Sequence, residues 1–390
     1  MKRMIAFYDS EVDRFEHAHS ELDKKERDSR VDDFIDTNPA LISWSVNLKQ
    51  ELAKCRRFSF DAESLSTSLY RPFGKQWLYF NRSFNERVYQ MPCLLPDAAA
   101  ENIAIMIKGN WRGDGQLALM INRPVCLQPD GGGQCFPLYL YAKADEATDD
   151  ELFPMSPVAS TETHTRRDGI TDAGLSHFQQ AYPAKAEGDR LTKEDLFFYI
   201  YGLLHSPDYR NRFADNLGKE LPRIPAVKKF ADFQAFAQAG RDLAHWHLNY
   251  ETVACYPVTF ELTGGATKLK TLQPEQFRVV KMKFPRRKDP DTGKSVSDKS
   301  TVIYNEFITV TGIPLEAYDY VVNGKPAIEW VMERQAVTTD KDSGIVNDAN
   351  LWATETMHNP RYPLELLQRV ITVSLETMKL VNNLPKLDID

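Results

Sequence analysis

The sequence predicts an α+β protein: a β-rich lobe, a central helical subdomain, and a second β-containing lobe closed by a C-terminal helix. Three observations predict it. Short apolar runs broken by Gly, Pro and Asn fill much of residues 59–145. Apolar residues at helical spacing dominate 191–252. Period-2 alternation then returns, until a long amphipathic stripe near the C-terminus restores period 3.6.

Residues 1–58 form a helical connector, with Ile5, Tyr8, Val12 and Phe15 on one helix face among eleven basic and twelve acidic residues up to Arg57. The runs Trp77 to Phe80, Ile103 to Ile107, Leu117 to Ile121 and Phe136 to Tyr141 read as strands of the 59–145 lobe. Asp145 to Glu151 holds five acids in seven residues, and Pro, Thr and Gly follow, so 146–190 reads as an exposed linker or loop.

Thr192 opens the clearest helix, with Asp195 completing a capping box and Leu196, Tyr199, Ile200, Leu203 and Leu204 on its buried side. Phe197, Phe198, Tyr199 and Tyr201 are expected in the core, because aromatics at helical spacing pack inward far more often than they stack on nucleic acid. Ser206-Pro207 ends this helix and starts another. Tyr209, Phe213 and Leu217 lead to a stop at Gly218, and a third helix runs from about Phe230 to Tyr250.

In the 253–390 lobe, Val280, Met282 and Phe284 are expected to face inward while Lys281 and Lys283 project outward. The loop Pro285 to Ser300 and a returning strand, Thr301 to Val310, complete a basic hairpin. A final helix starts near Pro363, with Leu366, Leu367, Val370, Ile371, Leu375 and Met378 as its stripe. No internal repeat is evident.

No run approaches the ~18 apolar residues of a membrane span, and Met1 to Phe15 lacks the apolar core of a secretory signal, so a cytoplasmic location is expected. Cys55, Cys93, Cys126, Cys135 and Cys255 are scattered and read as reduced, mostly buried thiols. His17 and His19, like His245 and His247, sit two apart in helices, a spacing that puts each pair on different faces and disfavours a metal site.

Motifs for catalysis fail on inspection. Asn359-Pro360-Arg361-Tyr362 lacks the second proline of a base-gripping Asn-Pro-Pro-Tyr loop and reads better as a helix start. Gly293-Lys294-Ser295 mimics the end of a P-loop, but Lys288 stands where its first glycine belongs. Gly131-Gly132-Gly133 reads as a turn, since no helix onset follows to aim a dipole at a phosphate. Asp23-Lys24-Lys25 has no partner acid on a preceding strand, as a nuclease site requires.

Charge supplies the positive signal. The chain carries a net charge of −7, which argues against indiscriminate coating of DNA. From Lys268 to Lys299, however, ten basic residues face only Glu275, Asp289, Asp291 and Asp298. That concentrated patch on an acidic chain suits one defined anionic partner. Lys281, Lys283, Arg286, Arg287, Lys288 and Lys294 are the candidate DNA contacts. Arg71, Lys75, Lys108 and Arg112 are candidates for an opposite wall of a cleft.

Several stretches carry a resemblance. They include YRPFGKQWLYF at Tyr70 to Phe80, GGQCFPLYLY at Gly132 to Tyr141, LTKEDLFFYIYGLLHSPDYRNRFADNLGKELPRIP at Leu191 to Pro225, LAHWHLNYE at Leu243 to Glu251, and YNEFITVTGIPLEAYDYVVNGKPAIEWV at Tyr304 to Val331. TTDKDSGIVNDANLW at Thr338 to Trp352 and the RYPLELLQRVITVSLET stretch after it belong to the same set. Together these resemble the C-terminal target-recognition region of the Type ISP restriction-modification enzymes, bacterial single chains that join a nuclease, a translocase, an adenine methyltransferase and a DNA-specificity region.

The resemblance implies sequence-specific recognition of double-stranded DNA by a segment that is itself non-catalytic and holds no cofactor. It also implies a methyltransferase domain upstream in the parent chain as a partner. The alternative is a protein-interaction module whose helical subdomain docks the catalytic domains.

Overall fold

A computed structural model describes the chain apart from residues 87, 98, 109–117, 126–132, 144–158, 161–163, 184–189 and 265–267, and gives the backbone alone at 24, 159 and 160. Two compact units emerge. The first comprises Met1–Ser68, Gln76–Ala100 and Thr338–Asn347; the second comprises Leu69–Lys75, Glu101–Val337 and Asp348–Asp390.

In the first unit, α1 (Lys2–Ala18), α2 (Lys24–Phe34) and α3 (Val46–Ala53) pack through the stripe read from the sequence. Tyr8, Val12 and Phe15 are fully buried among Val31, Ile42, Leu48 and Leu52. Each such side chain contributes about 1.5–3 kcal/mol. The capping box that starts α2 joins Asp23 to Glu26, so Asp23-Lys24-Lys25 is a helix onset.

The hairpin of β1 (Leu65–Arg71) and β2 (Gly74–Tyr79) turns at Phe73, whose φ of 58° is left-handed. That conformation costs an L-residue about 1–2 kcal/mol. Burial of the Phe73 ring edge-on to Tyr250, at 5.3 Å, offsets it.

A short helix, α4 (Met91–Leu94), precedes the sheets of the second unit. There β3 (Ala104–Lys108) lies between β4 (Ala118–Ile121) and β5 (Gly133–Pro137), both antiparallel to it. The next sheet has the order β6 (Tyr139–Lys143), β8 (His164–Asp168), β7 (Ala159–Ser160). The stretch read as an exposed loop therefore contains regular structure. β8 pairs with β6 from Tyr139↔Asp168 to Lys143↔His164, and α5 (Asp172–Ala181) buries Phe178. Pairing supplied by a distant segment organises a sequence too polar to signal a strand by itself. Thr171 caps α5 by accepting the Gly174 N–H at 3.1 Å.

The helical subdomain follows the sequence reading closely. α6 (Lys193–His205) begins with the Thr192–Asp195 capping box, α7 (Pro207–Arg212) and α8 (Ala214–Leu217) follow, and α9 (Phe230–Leu248) packs on α6. Phe197, Phe198, Tyr199 and Tyr201 are all buried, as expected of core aromatics. Gly202 and Gly240 let the two backbones touch: a Cβ at Gly202 would lie 2.1 Å from the Phe236 carbonyl oxygen, and one at Gly240 would lie 1.9 Å from that of Phe198.

Beyond α9, β9 (Thr259–Leu262) is followed by the ribbon of β10 (Arg286–Lys288) and β11 (Ser295–Ser297). β12 (Thr301–Ile303) and β13 (Ile308–Thr311) then form the antiparallel sheet β12-β13-β9. The single returning strand expected over Thr301 to Val310 is thus two strands, because Asn305 accepts the Phe307 and Ile308 N–H groups and closes a turn between them.

β14 (Val321–Val322) and β15 (Lys325–Pro326) lead into α10 (Ala327–Arg334). The hairpin of β16 (Val337–Thr339) and β17 (Val346–Asp348) precedes α11 (Ala349–Leu351), a π-helical turn at Trp352–Thr356, and α12 (Tyr362–Asn382). Pro363 sits in the first turn of α12 and Asn359 accepts the Arg361 N–H, confirming a helix start. Among the described residues no helix is long and apolar enough to cross a membrane.

Candidate nucleic-acid interface

The basic stretch begins as an extended strap. Met282 is buried and Lys281 and Lys283 are exposed, as alternation predicts, but Val280 is 59% exposed while Val279 is fully buried. The expected inward Val280 is corrected by a side-chain clamp. The Asn350 amide accepts the Val279 N–H at 2.9 Å and donates to the Val279 carbonyl at 2.8 Å. Both backbone groups of Val279 are taken by this amide, while the Val280 carbonyl accepts the Val337 N–H at 2.9 Å and a Lys283–Ile303 bridge joins the segment to β12. Asn350→Ala is expected to leave a buried donor and acceptor unpaired at a cost of about 1–3 kcal/mol, read as a lower urea midpoint.

The strap enters the β10–β11 ribbon, with register Arg286↔Ser297, Arg287↔Val296 and Lys288↔Ser295. Its turn is an ordered knot. The Asp289 carboxylate accepts from the Asp291 N–H, the Thr292 N–H and the Thr292 hydroxyl, and Gly293 supplies φ +66°. The Thr292 hydroxyl, then the backbone, and lastly Arg287 hold Asp289 below the usual carboxylate range.

The turn recurs in the β16–β17 hairpin. There Asp340 accepts from Asp342, from Ser343 N–H and from the Ser343 hydroxyl, and Gly344 has φ +68°. Asp289-Pro-Asp-Thr-Gly-Lys and Asp340-Lys-Asp-Ser-Gly-Ile are one six-residue motif used twice. This short repeat corrects the expectation that the sequence holds no internal repeat.

Cation pairing separates the stretch from its flanks. Arg278 meets Asp348 at 2.6 Å and Lys299 meets Glu329 at 2.9 Å. Among the described residues, Lys281, Lys283, Arg286, Arg287, Lys288 and Lys294 are exposed and make no ion pair within 4.0 Å.

The other candidates differ. Arg71 lies over the Tyr70 ring at 4.3 Å and donates to the Tyr70 carbonyl. Lys75 is ion-paired with Glu251, with only 15% of its side chain exposed, and Glu251 also accepts from the Tyr362 hydroxyl at 2.5 Å. Lys108 is half-buried at the end of β3, opposite Gly133. Arg112 lies outside the described residues. The structure thus brings together the six cations of the strap and ribbon, while Lys75 is engaged inside the second unit.

A buried polar chain stiffens that unit. The Met120 N–H donates to the Tyr201 hydroxyl at 2.8 Å, and this hydroxyl lies 2.5 Å from His247 Nδ1. His247 Nε2 lies 3.0 Å from the Thr377 hydroxyl, and the His247 ring stacks on Tyr320 at 5.2 Å. His205 Nδ1 lies 2.8 Å from the Tyr201 carbonyl oxygen. β4, α6, α9 and α12 are joined in this way. His247 also borders a cavity of about 20 Å³ lined by Leu69, Phe73, Lys75, Met120 and Tyr250 among others. Paired helical histidines read from the sequence as non-ligands gave no hint of this linking role.

Comparison with known proteins identifies the fold. Among the solved structures that match are three in which DNA or a DNA mimic is bound. A nuclease-deletion mutant of the Type ISP restriction-modification enzyme LlaGI, in complex with a DNA substrate mimic, is 33% identical with a TM-score of 0.75, over 100% of this chain and 26% of that one. The ATP-dependent Type ISP restriction-modification enzyme LlaBIII bound to DNA is 31% identical with a TM-score of 0.73, over 94% and 21%. The DrdV–DNA complex is 26% identical with a TM-score of 0.73, over 98% and 33%.

The chain thus spans about a quarter of the length of these relatives. No curated protein sequence matches. The model of the Type ISP C-terminal specificity domain matches residues 1–366, which contain the strap, the ribbon, the helical subdomain and the sheets described above, and by that match the chain belongs to the Type ISP C-terminal specificity domain family.

Proposed function

We propose that this chain recognises a short sequence in duplex DNA, as the specificity segment of a restriction-modification enzyme whose cutting, translocating and methylating activities reside in other parts. The observation that carries this reading is the set of exposed cations Lys281, Lys283, Arg286, Lys288 and Lys294, which make no ion pair among the described residues and stand on the strap and the ordered ribbon of an otherwise acidic chain. Cations held on fixed backbone engage phosphates and base edges with little further ordering cost. Family membership and the DNA present in the three matched complexes support the same reading.

The test is equilibrium binding of the purified chain to duplex DNA across a salt series, with selection from a random duplex pool. Binding is expected to weaken with salt, with a log–log slope of about −0.9 for each phosphate contact, and the selected pool is expected to converge on one sequence. No salt-dependent duplex binding would favour a docking module for catalytic domains instead. The same chain, given a methyl donor, ATP and Mg²⁺, is expected to leave DNA unmethylated and uncut. Methyl transfer to adenine would overturn that part.

A further inference from the structure

The register of the ribbon separates its three consecutive cations. In an antiparallel pair, directly opposed residues share a face and successive residues alternate faces. Arg286, Lys288, Ser295 and Ser297 therefore lie on one face, and Arg287 and Val296 on the other. The first four are all exposed, whereas Val296 is half-buried, so the Arg287 face is the one partly covered by protein.

The surroundings of the two faces differ as well. Arg287 lies within the electrostatic reach of two carboxylates, Asp289 at the turn and Asp298 at the base. Both are held ionised, Asp289 first by Thr292 and Asp298 first by Ser300. The ribbon is closed at its base by the Asp298 N–H donating to the Pro285 carbonyl at 2.9 Å. At its tip the Asp289 N–H donates to the Lys294 carbonyl at 2.8 Å. Both ends are tied, so the faces keep their identity.

The dimensions fit duplex DNA. The major groove is about 12 Å wide and admits a two-stranded ribbon, whose strands lie about 4.8 Å apart. Arg286 and Lys288, two residues apart, are separated by about 6.6 Å along the strand. That is close to two base-pair steps of about 3.4 Å. Arginine and lysine donate to guanine O6 and N7, and serine hydroxyls pair with donors or acceptors alike.

We propose that the ribbon enters the major groove with Arg286, Lys288, Ser295 and Ser297 toward the bases, and that Arg287, on the opposite face, braces the ribbon and takes no part in reading DNA. This rests on the duplex-recognition reading and assigns its reading element.

The test uses the full chain and the duplex it selects from a random pool. The double variant Arg286→Ala/Lys288→Ala is expected to weaken binding about tenfold or more, and to flatten the salt slope by up to about 0.9 for each cation lost. Arg287→Ala is expected to leave affinity and slope unchanged within error. Methylation of guanine N7 in the selected duplex, which blocks the major-groove edge, should weaken the unmodified chain and have little further effect on the double variant.

An Arg287→Ala defect equal to that of the double variant would overturn the assignment of faces. Indifference to N7 methylation would overturn the groove. If the unmodified chain binds with a salt slope and every variant matches it, the ribbon is not the reading element although duplex recognition stands. If the unmodified chain shows no salt-dependent duplex binding, the underlying reading itself falls. Circular dichroism on each variant checks that the fold is retained.

Discussion

Alanine in place of Gly202 or Gly240 is expected to destabilise the second unit by about 3 kcal/mol or more, the upper end of what overpacking costs. At these two positions α6 and α9 meet backbone to backbone. The added methyl carbons would sit 2.1 Å from the Phe236 oxygen and 1.9 Å from the Phe198 oxygen, far inside van der Waals contact. Neither obstacle is the movable end of a side chain. Relief requires the helices to separate, and separation loosens the ring stack of Tyr199 on Phe233, 4.4 Å between centroids, together with the buried Phe197, Phe236 and Leu243.

The higher intrinsic helix propensity of alanine returns only about 1 kcal/mol. Serine should be at least as damaging, since it adds a hydroxyl to the same clash. Urea denaturation followed by circular dichroism would measure this, with an exposed glycine-to-alanine change elsewhere as the control for propensity. A variant of either glycine as stable as the parent chain would mean that the helices do not cross this closely.

Those two glycines mark where sequence reading stops. The helix containing Gly202 was legible down to its capping box, because Thr192, Asp195 and the buried stripe act within one element. The position of a crossing depends on a second helix about forty residues away, which no local period encodes. Lys75 shows the same limit at the site. Its charge was legible, but its partner Glu251 lies 176 residues further on. Val279 and Val280 look interchangeable in an alternating pattern until Asn350, 71 residues away, fixes which of them turns inward.

The positions of the exposed cations were legible because repulsion and hydration keep an unpaired cluster outside whatever its fold. Their division into two faces was not, since it needs the β10–β11 register. Joining 76–100 and 338–347 to the N-terminal helices in one unit is likewise a long-range event that periodicity does not carry.

Acidification is expected to weaken the second unit well before carboxylates protonate. His205 and His247 are each 2% exposed. Burial pulls His205 down to about 3, with the nearby Arg210 charge acting in the same direction, and only the Tyr201 carbonyl opposes this. Burial likewise places His247 well below its ordinary value, and the neighbouring His205 adds to the effect.

Hydrogen bonding fixes why His247 stays neutral. The Tyr201 hydroxyl already accepts the Met120 N–H, so its own proton is directed to His247 Nδ1. The Nε2 proton then points to the Thr377 hydroxyl. A second proton, on Nδ1, would face that donor, with Tyr320 stacked on the ring and offering no carboxylate in compensation.

The sign of the effect follows from linkage. In the unfolded chain both histidines titrate near 6.5. Below that pH the unfolded state binds protons that the folded state refuses, so stability is fully present above about pH 7 and is lost as pH falls toward 3. Each histidine contributes a slope of about 1.4 kcal/mol per pH unit once well below 6.5. Between pH 7.5 and 5 the pair accounts for about 4 kcal/mol.

The lowered carboxylates act elsewhere on the scale. Asp195 is held down by Thr192 and Arg241 against its own desolvation, and Asp348 by Asn350 and Arg278 likewise. Their contributions are present above the unfolded carboxylate value of about 3.9 and are lost only below it. Urea midpoints at pH 7.5, 6 and 5 therefore isolate the histidines. The midpoint is expected to fall steadily across that range, and His247→Gln, which can accept from Tyr201 and donate to Thr377 without titrating, should remove about half of the fall. A midpoint flat from pH 7.5 to 5 in the unmodified chain would show that both rings take up protons freely while folded, and that the Tyr201–His247–Thr377 chain does not hold.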